Sequence, residues 1–202
     1  MGNKHAEYGT RWKRFTAVFA LSGAGAAVLL TGLAQGALAA SFTVSGNNFK
    51  VSADQLNGSG FAQFGSVDRG ANKDHPVAVS AFRTASLNNF CQSVVVPGMP
   101  GVGELSINIT APGSSGMTAE NLVVNLEQLN ADLTLGNPQI GVDASKISKG
   151  PGGVTGAPGS FGLQSDNARL DKLRQTAWST AASTLRFNGM NLSVSAGRHE
   201  CF

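Results

Sequence analysis

Glu104-Leu105-Ser106-Ile107-Asn108-Ile109-Thr110 alternates apolar and polar side chains without a break. A period of two places one face of a strand against a core and the other in water. The pattern recurs along the chain. Val77, Val79 and Ala81 show it, as do Phe49, Val51 and Ala53 after the turn-forming Gly46-Asn47-Asn48. Phe42 with Val44, then Leu122, Val124 and Leu126, then Leu133 with Leu135 and Ile140 with Val142, continue it. Leu185 with Phe187 and Leu192 with Val194 close the series. Short strands punctuated by Gly, Asn and Pro predict an all-β fold over residues 40–202, a sandwich or a β-solenoid-like arrangement.

One segment departs from this period. Ser165 or Asp166 is a helix-capping residue type, and Leu170, Leu173, Ala177 and Ala181 recur at helical spacing. The spacing predicts one short helix in the C-terminal half, running to about Ala182 and docked by Trp178. The stretch from Lys149 to Gly159, rich in Gly and Pro, is expected to be an exposed, mobile loop. Three strings, Ser52–Leu56, Thr118–Leu122 and Asp143–Ile147, share a polar-Ala-x-x-aliphatic form. The last two are one solenoid rung apart, though intermediate copies are poor and chance recurrence explains them equally well.

The chain has 202 residues and a formal charge of +3, yet only 13% of its residues are charged. That charge has a location. Residues 1–14 hold Lys4, Arg11, Lys13 and Arg14 against Glu7. Of the 15 basic and 12 acidic residues, eleven of each remain beyond residue 14, so the rest of the chain is neutral. A charge-free apolar run from Phe15 to about Ala34 follows and ends in Ala37-Leu38-Ala39. A basic start, an apolar middle and an A-x-A end describe a secretory leader over residues 1–39, cleaved after Ala39 or one residue later. The run is also long enough to span a bilayer, so the competing reading is an uncleaved N-terminal anchor helix. Either reading puts residues 40–202 outside the cytoplasm, secreted or on the outer side of the cytoplasmic membrane. With export, the two cysteines, Cys91 and Cys201, are expected to pair. By loop-closure entropy such a bridge contributes about 4–5 kcal/mol at most; two free thiols are the alternative.

The pattern argues against several chemistries. A serine hydrolase of the α/β type would carry G-x-S-x-G at a strand-to-helix turn. The nearest string is Pro158-Gly159-Ser160-Phe161-Gly162, with Pro in the first position. A triad would have to join Ser160 or another Ser to His75 or His199, and both histidines sit in polar segments that suggest exposed turns. His199-x-Cys201 lacks a second metal-binding pair, and the aspartates fit no calcium loop, so neither metal nor cofactor is expected. A neutral exported domain does not suit nucleic acid. The Gly98–Gly103 segment is a turn rather than a phosphate loop. Phe42, Phe49, Phe61, Phe64, Phe82 and Phe90 crowd the first half. They either fill a core or line an apolar groove.

Ala53–Phe61, Leu87–Val94, Ile140–Ser145, Gln175–Trp178 and the ending Leu192–Phe202, together with the leader, resemble a family of actinobacterial exported proteins of unassigned function. Its members often carry an automatic cholesterol-esterase label, but the residues for that activity are not visible here. Gene context in the resembling family, beside a small multi-pass membrane protein, implies an envelope role and a membrane-protein partner. The expected function is therefore a non-enzymatic exported envelope protein that binds a partner protein, a surface polymer or a lipid. The alternative is a secreted lipid or sterol-ester hydrolase using Ser160 with His75 or His199. The leader reading has a direct check. Intact-mass analysis of the native exported protein should find a chain beginning at Ala40 or Ser41, and a mass that retains Met1–Ala39 would establish the anchor instead.

Overall fold

The computed structural model describes residues 46–202 except 70–72, 100 and 102. The leader, its Ala37 and Ala39 cleavage signal, and Phe42 lie outside the described residues. Nine strands follow in chain order: β1 Phe49–Arg69, β2 Asp74–Asn88, β3 Phe90–Met99, β4 Gly103–Ala111, β5 Met117–Gly136, β6 Gln139–Asp143, β7 Phe161–Ala181, β8 Thr184–Phe187 and β9 Asn191–Ala196. A single 3-10 turn, Ala144–Lys146, is the one helical element among the described residues. The fold is all-β, as the alternation implies. Every strand pairing is antiparallel, the register of meandering strands rather than of stacked solenoid rungs.

The sheet closes on itself. β1 pairs with β2, β2 with β5, β5 with β7, and β7 returns to β1 along Phe49–Phe64. Two gaps in the chain leave a strand's line unbroken. β3 resumes beside β1 where β2 stops, and β8 resumes beside β5 where β7 stops. β4 and then β9 extend outward from β3, making a three-stranded wing. The core fills the closed part. Phe61, Leu126 and Leu173 are at most 2% exposed, and the Phe61 and Phe82 rings pack with centroids 4.9 Å apart.

The predicted helix does not form: Ser165–Ala181 belongs to β7, a strand of 21 residues. The reason is a kink. Lys172 has φ +56°, and the β1–β7 ladder passes from Ala53–Leu173 to Gln55–Asp171 without an Asp54–Lys172 pair. Below the kink Ala168 and Leu170 face the core, and above it Leu173, Gln175 and Ala177 do. One skipped position changes a spacing of two into a spacing of three, which mimics a helical face. A second level of skips crosses four strands at Asp166, Gly60, Arg83 and Asn121. Gly60 there has φ +61°, and a Cβ on it would lie 2.5 Å from the Lys149 carbonyl oxygen. Bulges of this kind bend and twist long strands, which a closed sheet requires.

The loop over Lys149–Gly159 is exposed over most of its length, as expected, but its start is seated on the outer face of the sheet. Gly150, Pro151 and Ile147 are buried, the last against Ala62, Phe64 and Val79. Arg83 donates to the carbonyls of Gly150 and Ser148 at 2.9 and 2.7 Å, and Gln164 Oε1 accepts from the backbone N–H groups of Ser148 and Lys149. Asp143 holds both ends of the segment, accepting from Ser145 N, Ser145 Oγ and Gly159 N.

The C-terminal tail straps the outer face of the wing. Cys201 is bonded to Cys91 with Cα atoms 6.0 Å apart. Two fully buried serines serve as its docking points: Cys201 N donates to Ser93 Oγ at 3.0 Å, and His199 N to Ser106 Oγ at 2.8 Å. Lys50 Nζ reaches both Glu200 (3.1 Å) and the Phe202 carbonyl (3.0 Å). These contacts are partly solvated and add little beside the covalent link.

Two outcomes follow. Replacing both Cys91 and Cys201 by Ser should lower the unfolding free energy by about 2–4 kcal/mol in urea denaturation, with the tail more exposed to protease. The three donors on Asp143, led by the Ser145 backbone N–H, hold its carboxyl below the usual 3.8. A lowered native pKa gives stability that is complete above the ordinary carboxylate range and lost as the pH falls through the depressed value. Hydrogen exchange at Ser145 and Gly159 should therefore accelerate in acid relative to the rest of the sheet, and Asp143→Asn should remove that dependence.

Candidate ligand-binding cavity

At the level of Gly60, Phe61, Phe82 and Leu122 are directly opposed and buried, and Phe82 and Leu122 also line a cavity. The cavity, about 350 Å³, lies between β1, β2, β3, β4, β5, β7 and β8, a size within the usual range for small-molecule sites. Its wall is a register pattern. Leu129, Gln175, Val51, Gln92 and Ile109 are directly opposed, one on each of five neighbouring strands, and all five line the cavity. Directly opposed residues share a face of a sheet. Phe49, Phe90 and Phe187 add aromatic walls, the last two with centroids 5.5 Å apart.

None of the lining residues is charged. Four are polar: Ser80, Gln92, Gln175 and Thr180. Ser80 Oγ accepts from Gln63 Nε2 at 3.1 Å. Among the described residues no hydrogen bond reaches the side-chain amide of Gln175, which is 9% exposed, or that of Gln92, and neither amide is fully enclosed: the buried side-chain atoms without a partner are Asn108 Oδ1 and Asn125 Oδ1. A ligand carrying one polar group among many apolar ones would find a partner in either glutamine.

The crowded phenylalanines divide. Phe49, Phe82 and Phe90 line the cavity and Phe61 packs against Phe82 below it, whereas Phe64 faces the opposite way, under the 144–156 segment. Gln92 and Gln175 were not read as site residues in the sequence, and Leu185 and Phe187 were read there only as an alternating strand pair. Gln175 was hidden by the helical spacing of its neighbours, and its one available signal was a glutamine at a position facing the core.

The hydrolase candidates are not brought together among the described residues. Ser160 Oγ donates to the Ala157 carbonyl at 2.7 Å within its own turn. His199 is exposed, beside the disulfide as expected, and its Nε2 contacts the Ala196 carbonyl at 3.2 Å. His75 corrects the expectation of an exposed turn: it is 7% exposed, on β2, and stacks on Trp178 with centroids 3.7 Å apart. Trp178, expected to dock a helix, makes that stack from β7. No hydrogen bond joins Ser160 to either imidazole, and none of the three lines the cavity. No group of three or more His, Cys, Asp or Glu positioned to hold a metal ion occurs among the described residues.

No curated protein and no solved structure matches the chain. A family does, over residues 45–202, which takes in all nine strands, the cavity wall and both cysteines. The chain belongs to a family of unknown function, DUF6230.

Proposed function

We propose that this protein is an exported envelope protein that binds a single lipid-like ligand in the cavity of its closed sheet, without transforming it. One observation carries the reading: a charge-free cavity of about 350 Å³ with the side-chain amides of Gln92 and Gln175 in its wall. Apolar lining with a few placed polar groups is the usual composition of a small-molecule site, and barrel mouths are a usual place for one. The chemistry that fits is a hydrocarbon body with one hydroxyl, carbonyl or carboxyl group. The disulfide suits an oxidising compartment and the leader gives the route to it. A sterol or acyl ligand agrees with the cholesterol-esterase label of the resembling proteins, as something held rather than hydrolysed.

Native mass spectrometry and displacement of a bound fluorescent fatty acid test this on the purified, delipidated protein. Palmitate and cholesterol should bind one to one, and glycerol should not. Leu129→Trp fills the cavity and should weaken binding at least tenfold while leaving the far-ultraviolet circular dichroism unchanged. Gln175→Leu should leave a plain hydrocarbon probe bound and weaken palmitate or cholesterol about tenfold, the worth of one hydrogen bond. Absence of any apolar ligand on the wild-type protein, or unchanged binding in Leu129→Trp, would overturn the reading.

A further inference from the structure

The polar residues of the cavity wall are not scattered. They form two pairs, and each pair is built the same way. Gln92 of β3 and Gln175 of β7 are both directly opposed to Val51 of β1, one on either side of it. Ser80 of β2 and Thr180 of β7 are both directly opposed to Val124 of β5, again one on either side. Every other residue lining the cavity is apolar. Directly opposed residues share a face, and neighbouring strands lie about 4.8 Å apart. A polar atom seated over Val51 therefore has an amide on each flank, and one seated over Val124 has a hydroxyl on each flank.

The two pairs are distinct. Gln175 and Thr180 are separated along β7 by about 16 Å of extended strand, and Ala177, wholly buried, faces the core between them. Among the described residues no hydrogen bond joins either glutamine to Ser80 or Thr180, and both pairs keep hydrogen-bonding capacity. The amides of Gln92 and Gln175 and the hydroxyl of Thr180 have no partner there. Ser80 Oγ accepts from Gln63 Nε2 at 3.1 Å, which uses a lone pair and leaves its own proton to donate.

We infer that the ligand of this cavity is polar at both ends: a hydrocarbon body with one oxygen function between Gln92 and Gln175 and a second between Ser80 and Thr180, as in an ω-hydroxy acid. The inference rests on the lipid-binding reading above and adds the second polar group. The chemistry of each pair assigns its end. Two amides offer N–H donors and suit a carboxylate or a carbonyl. Two hydroxyls can each donate and accept, and suit a hydroxyl, which does both. A ligand with a single polar group leaves one pair facing methylenes, and a polar group kept from water without a partner costs about 1–3 kcal/mol. A site built to hydrogen-bond a hydroxyl discriminates against the analogue that lacks it.

The experiment uses the delipidated full chain and isothermal titration calorimetry. Octanoate, dodecanoate and hexadecanoate are compared with 8-hydroxyoctanoate, 12-hydroxydodecanoate and 16-hydroxyhexadecanoate. Each hydroxy acid shares its carboxylate and chain length with its parent, so the ratio of the two affinities isolates the second polar group. At the length that spans the two pairs, the hydroxy acid should bind about tenfold tighter than its parent. Ser80→Ala with Thr180→Val should remove that gain without weakening the parent acid. Thr180→Val alone, which keeps the size of the side chain, should already lower it. Gln175→Leu should weaken parent and hydroxy acid by the same factor, so the gain survives there. No gain at any of the three lengths, or a gain undiminished in Thr180→Val, would overturn the inference. Parent acids that bind with no gain from the hydroxyl remove the second polar end and keep the cavity reading, whereas no binding by any of the six acids removes the proposed function as well.

Discussion

Everything in this fold hangs on the pairing of β1 with β7. Without it, two strands of 21 residues would each present a long row of unpaired N–H and C=O groups, which invites aggregation. With it, the meander becomes a ring of four long strands. A ring so small has space for very few side chains, and the level of Gly60 shows it: Phe61, Phe82 and Leu122 fill the section. The cavity exists because the ring does not stay four strands wide. Where β3 takes over from β2 and β8 from β7, β4 and β9 join the wall, and one row of opposed residues then crosses six strands from Leu129 to Leu192. Barrel circumference grows with strand number.

The same constraint decides what could be read in advance. The strands were legible because side chains on them alternate, and residues such as Leu105, Ile107 and Ile109 do so without interruption. The disulfide was legible from a single pair of cysteines and an expectation of export. The long strands were not, because closure needs kinks and each kink resets the alternation. Leu170 and Leu173 both face the core across Lys172, at φ +56°, so a strand acquired the spacing of a helix. Local pattern reports local period, and a bulge set by tertiary closure lies outside it. The Gly-rich segment failed for a related reason. Its glycines suggested freedom, but Gly150 sits too close to Ala62 for a side chain, and Gly60 of β1 lies just as close to the Lys149 carbonyl.

The candidate site was half legible. A row of phenylalanines suggested either a core or a groove, and sequence does not say on which side of a sheet each falls. The structure gives both answers, because the skips at Asp54–Lys172 and Gly60–Arg83 change which residues face inward. Gln175 was illegible for a deeper reason. Its place in the cavity wall depends on Val51, Leu129 and Gln92, which lie between about 45 and 125 residues away in the chain.

Stability and exposure are divided unevenly between the two faces of the wing. Its outer face holds the covalent bond and two buried serines: Ser106 Oγ donates to the Gly197 carbonyl and accepts from His199 N, and Ser93 Oγ accepts from Cys201 N. That strap fixes β3 and β4 in place without using any residue of the inner face. The inner face, with Leu192 and Val194 on an edge strand, is then left uncovered, which natural edges usually avoid with charge, proline or a bulge. None of these devices appears within β9, Asn191–Ala196. An edge held rigid from behind and left apolar in front costs solubility.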